Sequence, residues 1–202
     1  METKTRLAIL RTMGDLHTEP LRYDLDSLRT IVANLTPDLV CVDITRADWE
    51  TGDLTKTSPE VGEALVPVIR QTDSVLVPVA PTSEQFADYQ ASSGWRRGLS
   101  QTFDGWLKWG QRKANGPEAI HGLAFETFCH TVCALTELTW SKANRAAHQE
   151  RNEALADNIL QAVHRDPGRR VLVVIQCQWQ HTLEPTLKKK AGWLDIVDYQ
   201  EL

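Results

Sequence analysis

The chain of 202 residues contains short apolar runs that alternate with segments of helical spacing, and this rhythm constrains the fold more than any other feature. Four clear runs cover residues 7–10, 39–42, 74–79 and 171–175, and a last short one covers 194–197. Short apolar runs bounded by glycine, proline or aspartate are typical of buried strands. Strands that alternate with helices form a parallel sheet with right-handed crossovers. The sequence therefore predicts an α/β fold with a mostly parallel central sheet flanked by helices.

A long stretch between the third and fourth strands lacks any strand pattern. It covers residues 83–165, and breaks near Gly94, Gly105 and residues 115–117 divide it into three or four helices. A chain of this length is ordinary for one domain. We therefore expect a single α/β domain over residues 1–202, with 83–165 as a mainly helical segment within it.

Composition and charge argue against several classes of partner. The net charge is −5 and the basic residues occur in short groups, so we expect no nucleic-acid partner. No apolar stretch approaches the roughly 20 residues that cross a bilayer, so we expect no membrane partner. The four cysteines lack the spacing of a disulfide scaffold, which favours free thiols and a cytoplasmic protein. The sequence leaves open whether the chain forms a homo-oligomer.

Polar residues follow three of the predicted strands at the point where each strand ends. The carboxyl ends of parallel strands meet at one edge of the sheet, where ligands of such folds usually bind. The sequence therefore predicts one shared site at this edge. Its candidate residues are Gly14, Asp15 and His17 after the first strand, Asp43 after the second, and Gln176, Gln178 and His181 after the fourth.

Arg151 extends this candidate site from a helix. Counting about 100° per residue, it lies on the same face as the apolar residues Leu155 and Ile159. A cation on an apolar face either reaches the rim or pairs with an acid. Asp43 and Asp15 are the expected partners, and the pattern leaves open whether such a pair is structural or functional.

Four segments together resemble the TraB/Tiki superfamily, which includes erythromycin esterase and the ChaN-like proteins. These segments are the turn at residues 14–17, the acid after the second strand, the run 151–159 and the strand at 170–175. The resemblance covers roughly residues 5–80 and 147–200 and omits most of the central helices.

The resemblance implies a fold and a set of site residues. In that superfamily a first Gly-x-x-His, a glutamate, an arginine and a second Gly-x-x-His converge on one pocket. His17 matches the first histidine, Asp43 stands where the glutamate is expected, and Arg151 matches the arginine. The second motif falls on Gln176 and Trp179, so both its glycine and its histidine are missing.

The resemblance also implies an activity. Members hydrolyse ester or peptide bonds, some with a proposed metal, and ChaN-like members bind haem. We therefore expect a hydrolase acting on an ester, lactone or amide. His17 would be its general base, oriented by Asp43 or Asp15, and Arg151 would stabilise the oxyanion. A divalent metal is left open.

The alternative is a non-catalytic protein that binds a small ligand in the same pocket. Arg151 would then hold an anionic group of the ligand, and the incomplete second motif favours this alternative. In either case Gly14, Gln176, Gln178 and His181 would contact the bound molecule.

Two further features lie within the central helices. Trp95, Trp106 and Trp109 could form a lid over the pocket, a self-association face or part of the core. Cys129 and Cys133 share a helix face, which predicts a core seam, because their order with His130 is not that of a haem-attachment motif.

Overall fold

A computed structural model of the chain describes residues 4–55, 57–82 and 94–202. It confirms the α/β fold, with one sheet of five parallel strands in the order β3-β2-β4-β1-β5. The strands are β1 (Arg6–Thr12), β2 (Leu39–Thr45), β3 (Val75–Ala80), β4 (Arg170–Gln176) and β5 (Asp195–Val197).

Helices cover both faces of this sheet. The α-helices are α1 (Leu25–Leu35), α2 (Arg46–Thr51), α3 (Val66–Ile69), α4 (Trp95–Lys113), α5 (Pro117–His121), α6 (Leu123–Leu138), α7 (Lys142–Arg165) and α8 (Cys177–Lys190). A π-helical turn, Glu60–Leu65, precedes α3, and 3₁₀ turns occur at Gly14–Thr18 and Tyr199–Glu201. Helices α4 to α7 form the predicted insertion between β3 and β4, of which residues 83–93 lie outside the described part.

The core has two layers that the central strand β4 separates. Leu172 and Val174 contribute to the layer beneath α1, α3 and α6. Val171 and Val173 contribute to the opposite layer, beneath α7 and α8. Because both faces of the sheet are covered, the middle residues of the strands are apolar on both sides, as is typical of a parallel sheet.

The sheet register brings three strand ends together. Strand β4 pairs with β1 up to Thr12 and Gln176, and with β2 up to Val42 and Val174. The residues after β1, β2 and β4 therefore meet at one edge, which is the edge predicted to carry the site.

Three local details of the structure are not evident from the apolar pattern. Residues 46–51 form α2, because the Thr45 side chain accepts a hydrogen bond from the Asp48 amide and caps the helix. The helical segment before β3 opens with the π-helical turn. Residues 177–182, which include the candidate site residues Gln178 and His181, are the first turns of α8, which continues through Pro185.

Candidate functional site

His17 does not have the environment of a general base. Its side chain is 1% exposed, and both ring nitrogens bind backbone groups. The Met13 amide donates to Nε2 over 2.9 Å, and Nδ1 donates to the Tyr23 carbonyl over 2.8 Å. Burial lowers the pKa of His17 to about 4, so the ring is neutral at neutral pH. The predicted base is therefore a buried residue that joins the Gly14–Thr18 turn to the Tyr23 backbone.

Glu60 is the acid nearest to His17, and sequence reasoning missed it. It is 4% exposed and lies in the π-helical turn. Its Oε1 accepts from the Thr12 hydroxyl and its Oε2 from the Gly14 amide, each over 2.9 Å. Its Oε2 also lies 3.7 Å from Nε2 of His17. Since Nε2 already accepts from an amide and carries no proton, this contact is not an ion pair.

Burial raises the pKa of Glu60 to about 7, and the nearby Asp43 carboxylate acts in the same direction. The hydrogen bonds from Thr12 and Gly14 oppose that rise only in part. Glu60 therefore exchanges a proton near neutral pH.

Arg151 and Asp43 meet as predicted. One guanidinium nitrogen, Nη2, donates to both carboxylate oxygens over 2.8 and 2.9 Å. The two side chains are 15% and 21% exposed, so the pair is largely but not fully buried. Asp15 is not a partner, because it is exposed on the 3₁₀ turn. Among the described residues, His17 makes no contact with this pair.

The second guanidinium nitrogen of Arg151 is buried and has no hydrogen-bond partner within the described chain. The guanidinium carbon lies 4.1 Å from the ring centre of Trp179. His148 is stacked on the same indole, with ring centres 4.9 Å apart and an angle of 17° between the planes. Arg151 thus combines a paired nitrogen, an aromatic contact and a second nitrogen with unused donor capacity.

A cavity of about 220 Å³, here called the apolar cavity, is lined by Trp179 and His148 of this cluster, whereas Arg151 lies behind Trp179 and is not one of the wall residues. Its walls come from α4, α6, α7 and α8. They include Trp179, His148 and His181, together with Phe103, Leu107, Val132, Cys133, Thr136, Glu137, Trp140, Asp104 and Gln178. The predicted site residues Gln178 and His181 therefore both line this cavity.

A second cavity of about 460 Å³, here called the polar cavity, lies over the ends of β1 and β4. The predicted residues Gly14, Asp15, Gln176 and Gln178 line it. Gly14 has φ +61°, and a Cβ there would lie 2.8 Å from the Gln176 side chain. The positive φ therefore favours glycine at this position, whereas the Gln176 amide, at the end of a flexible side chain, could move away from a Cβ. The two cavities share Asp104, Leu107 and Gln178 as wall residues.

His181 belongs to a group of imidazoles on α6, α7 and α8. Its Nε2 lies 3.0 Å from a carboxylate oxygen of Glu137, and its Nδ1 is buried without a hydrogen-bond partner among the described residues. The ring centres of His130 and His148 lie 5.7 and 6.5 Å away. His181 therefore presents an unused polar atom close to the wall of the apolar cavity.

The residues do not fit the divalent metal that the resemblance leaves open. Both nitrogens of His17 are used by the backbone, and Asp43 is held by Arg151. In the part of the chain that the structure describes, no three His, Cys, Asp or Glu side chains form a group that could hold a metal ion. The site therefore consists of a carboxyl group, an ion pair and two cavities.

His148 and Trp179 were missed for different reasons. His148 lies three positions before Arg151 on the face that also carries Leu155, so extending the apolar stripe of α7 by one turn would have found it. In the sequence, Trp179 stands out only as a mismatch to the histidine of the second motif. Its contact with Arg151 depends on the helical start of α8, which the sequence did not reveal.

The structure of the central helices tests two further predictions. Trp95, Trp106 and Trp109 are 72%, 50% and 60% exposed, so they belong neither to the core nor to the walls of either cavity. Cys129 and Cys133 are buried free thiols, which confirms the core seam. Within the described residues, no helix has the length and apolar character needed to cross a membrane.

Comparison of the chain with protein-family models, with curated proteins and with solved structures found no match. The resemblance to the TraB/Tiki superfamily therefore stays a prediction that rests on the quoted residues.

Proposed function

We propose that this protein binds a small anionic ligand that has an aromatic or alicyclic body, and that it does so without catalysis. The observation that carries the proposal is the buried, unpartnered Nη1 of Arg151 beside a cavity walled by Trp179 and His148. A buried donor without a partner costs roughly 1–3 kcal/mol. A ligand carboxylate or phosphate oxygen that reached this nitrogen would remove that cost.

The walls and the volume of the apolar cavity indicate the shape and polarity of the rest of the ligand. Its indole and phenyl walls favour a flat apolar body, and about 220 Å³ suits a molecule close to the size of one or two rings. The unpartnered Nδ1 of His181 and the amide of Gln178 supply polar contacts at the same wall. The shape of the cavity therefore favours an aromatic body. The acidic group of the ligand would have to reach Arg151 past Trp179, because the charged wall residues Asp104 and Glu137 are themselves acids.

The binding test uses benzoate and benzyl alcohol as probes in isothermal titration calorimetry at pH 7. We expect benzoate to bind at least tenfold more tightly than the alcohol, because a charge-assisted hydrogen bond contributes about 1.5–3 kcal/mol. Arg151→Lys should remove most of that preference, since lysine lacks the second nitrogen. Arg145→Lys, which changes an exposed arginine on the same helix, is the matched control. Equal affinity of both probes for the wild type would contradict the proposal.

Hydrolysis of an ester, lactone or amide is the second candidate. Glu60 favours it, because a carboxyl group with a pKa of about 7 at this edge of the sheet suits proton transfer at neutral pH. The test is the hydrolysis of p-nitrophenyl acetate by the wild type and by Glu60→Gln. Glu63→Gln, which changes an exposed acid in the same turn, is the control. Loss of turnover in Glu60→Gln alone, by about 10²-fold or more, would favour the hydrolase over the binding protein.

A further inference from the structure

Helix α4 exposes a row of large apolar side chains that take no part in the site. Trp95, Leu99, Trp106 and Trp109 are 72%, 40%, 50% and 60% exposed. At about 100° per residue they fall within an arc of roughly 80°, and the row is about 21 Å long. We call this row the tryptophan face.

The opposite side of α4 packs against the rest of the protein. Leu107 and Gln111 are buried there, and Phe103 and Leu107 line the apolar cavity. Large contiguous apolar surfaces are rare on soluble monomers and mark interaction sites. The Trp106 ring centre lies 5.4 Å from that of Phe103, so the tryptophan face adjoins a wall of the apolar cavity without lining it, and core packing does not explain its exposure.

The charge of α4 is opposite in sign to that of the whole chain. The helix carries Arg96, Arg97, Lys108, Arg112 and Lys113 against the single acid Asp104, whereas the chain has a net charge of −5. Cations that lie within or beside an apolar helix face are complementary to an anionic surface.

Two of these cations are engaged within the protein. Lys108 pairs with Asp104 over 2.9 Å, and Arg112 pairs with Glu19 over 2.7 Å. Arg97 and Lys113 form no ion pair in the described part of the chain, and the Arg96 guanidinium lies 5.6 Å from the Trp95 ring centre. Counting about 100° per residue, Lys113 lies within the tryptophan face and Arg96 beside it, whereas Arg97 lies on the opposite side of the helix. Two cations without a carboxylate partner among the described residues are therefore available at the tryptophan face.

We propose that the tryptophan face docks on the surface of a bilayer that contains anionic phospholipid. Tryptophan is favoured where an apolar ring must sit beside polar groups, as at a membrane surface. Arg96 beside the apolar row and Lys113 within it would reach the phosphates while their stems lie against the acyl boundary. The expectation of no membrane partner rests only on segments that cross a bilayer, and docking does not require such a segment.

A second copy of the chain and single-stranded nucleic acid fit the tryptophan face less well than a lipid surface does. A second copy docked face to face would bring two basic helices together, and like charges across an interface oppose association. Single-stranded nucleic acid is bound in a positively charged groove that follows its backbone, whereas the tryptophan face is the convex side of one helix. Charge and shape therefore favour the lipid surface.

The test is co-sedimentation of the whole protein with vesicles of phosphatidylcholine alone or with 30% phosphatidylserine. We expect at least tenfold stronger partitioning into the anionic vesicles, which 0.5 M salt should abolish. Trp106→Gln/Trp109→Gln should lower that partitioning at least tenfold. Trp193→Gln, which changes a 42% exposed tryptophan elsewhere, is the matched control.

A second pair of variants tests the charge. Arg96→Gln/Lys113→Gln should weaken binding by about fivefold for each cation removed. Arg165→Gln/Lys189→Gln removes the same charge from exposed positions on α7 and α8 and should have little effect. Circular dichroism melts confirm that each variant is folded.

Three results would overturn the proposal. The first is a folded wild type that fails to sediment with anionic vesicles. The second is a dimer in light scattering that Trp106→Gln/Trp109→Gln converts to a monomer, which would make a second copy the occupant. The third is tight binding of a single-stranded oligonucleotide that the same variant abolishes.

Discussion

His17 shows how one side chain can hold a turn together without taking part in chemistry. Its ring lies between an amide and a carbonyl and packs edge-on against Tyr23, with ring centres 4.6 Å apart. The Tyr23 hydroxyl in turn donates to the Arg11 carbonyl over 2.9 Å. The Gly-x-x-His turn is therefore fixed to β1 by two buried side chains.

We expect His17→Ala to lower the free energy of unfolding by about 2–4 kcal/mol, because it leaves two buried backbone groups without partners and opens a cavity. Urea unfolding at pH 7 measures the change. His164→Ala is the control, since that ring is exposed on α7 and should contribute less than about 1 kcal/mol. An unchanged unfolding midpoint for His17→Ala would mean that the ring is free to act on a ligand.

The sequence predicted the Arg151–Asp43 pair but not the environment of His17. The pair follows from two local patterns, an acid after a buried strand and a cation on an apolar helix face. By contrast, the environment of His17 depends on the amide of Met13 and on the buried Glu60 from a distant turn of the chain. The spacing of residues in the sequence does not predict this environment, because it forms only when the π-helical turn packs under the 3₁₀ turn.

At the scale of elements, strands were easier to predict than helix boundaries. All five strands were found, because a short apolar run between polar breaks has room for a strand but not for a helix of ordinary length. The start of α8 was missed because Gln176, Gln178 and Gln180 resemble a polar loop. In the structure Gln180 is buried and accepts a hydrogen bond from Arg11, a contact that only the packed fold reveals.

Helices α4 and α6 cross closely at Gly110, which predicts opposite effects for two glycines of one helix. A Cβ on Gly110 would overlap the Phe128 ring, whereas one on Gly105 would meet nothing within 4 Å. Gly110→Ala should therefore destabilise the protein by about 1–3 kcal/mol. Gly105→Ala should stabilise it by about 0.5–1 kcal/mol through helix propensity.

Thermal melts of the two variants measure this difference. Both substitutions add the same methyl group to α4, so each is the control for the other. Equal shifts in the melting temperature would show that α4 does not pack on α6 at Gly110. The walls of the apolar cavity would then be placed differently, since both helices contribute to them.

At the scale of the whole molecule, buried titratable groups act on stability in opposite directions. Burial lowers the pKa of His17 and His148 to about 4 and that of His121 to about 3. The unfolded chain binds these protons first, so their contribution to stability is lost as pH falls from 6.5 towards 4. Glu60 has a raised pKa, so its contribution is present below 4.5 and is lost as pH rises through about 7.

These windows predict that the unfolding free energy rises between pH 4.5 and about 7 and is nearly level above that. In the rising part the three imidazoles of the unfolded chain outweigh the one carboxyl group, and above about pH 7 their small remaining contributions nearly cancel that of Glu60. The pKa rise of Glu60 corresponds to about 3 kcal/mol, almost all of which is lost between about pH 4.5 and 8. Urea unfolding from pH 4.5 to 8 measures the profile.

Glu60→Gln isolates the contribution of Glu60 to that profile. A glutamine amide can accept from the Gly14 amide and donate to the Thr12 hydroxyl, so it imitates the protonated acid. The unfolding free energy of the variant should rise more steeply with pH than that of the wild type, and the difference between the two should grow by about 3 kcal/mol between pH 4.5 and 8. The exposed control Glu63→Gln should follow the wild type. A difference between Glu60→Gln and the wild type that stays constant with pH would place the titrating group elsewhere and remove the main support for a proton-transfer role of Glu60.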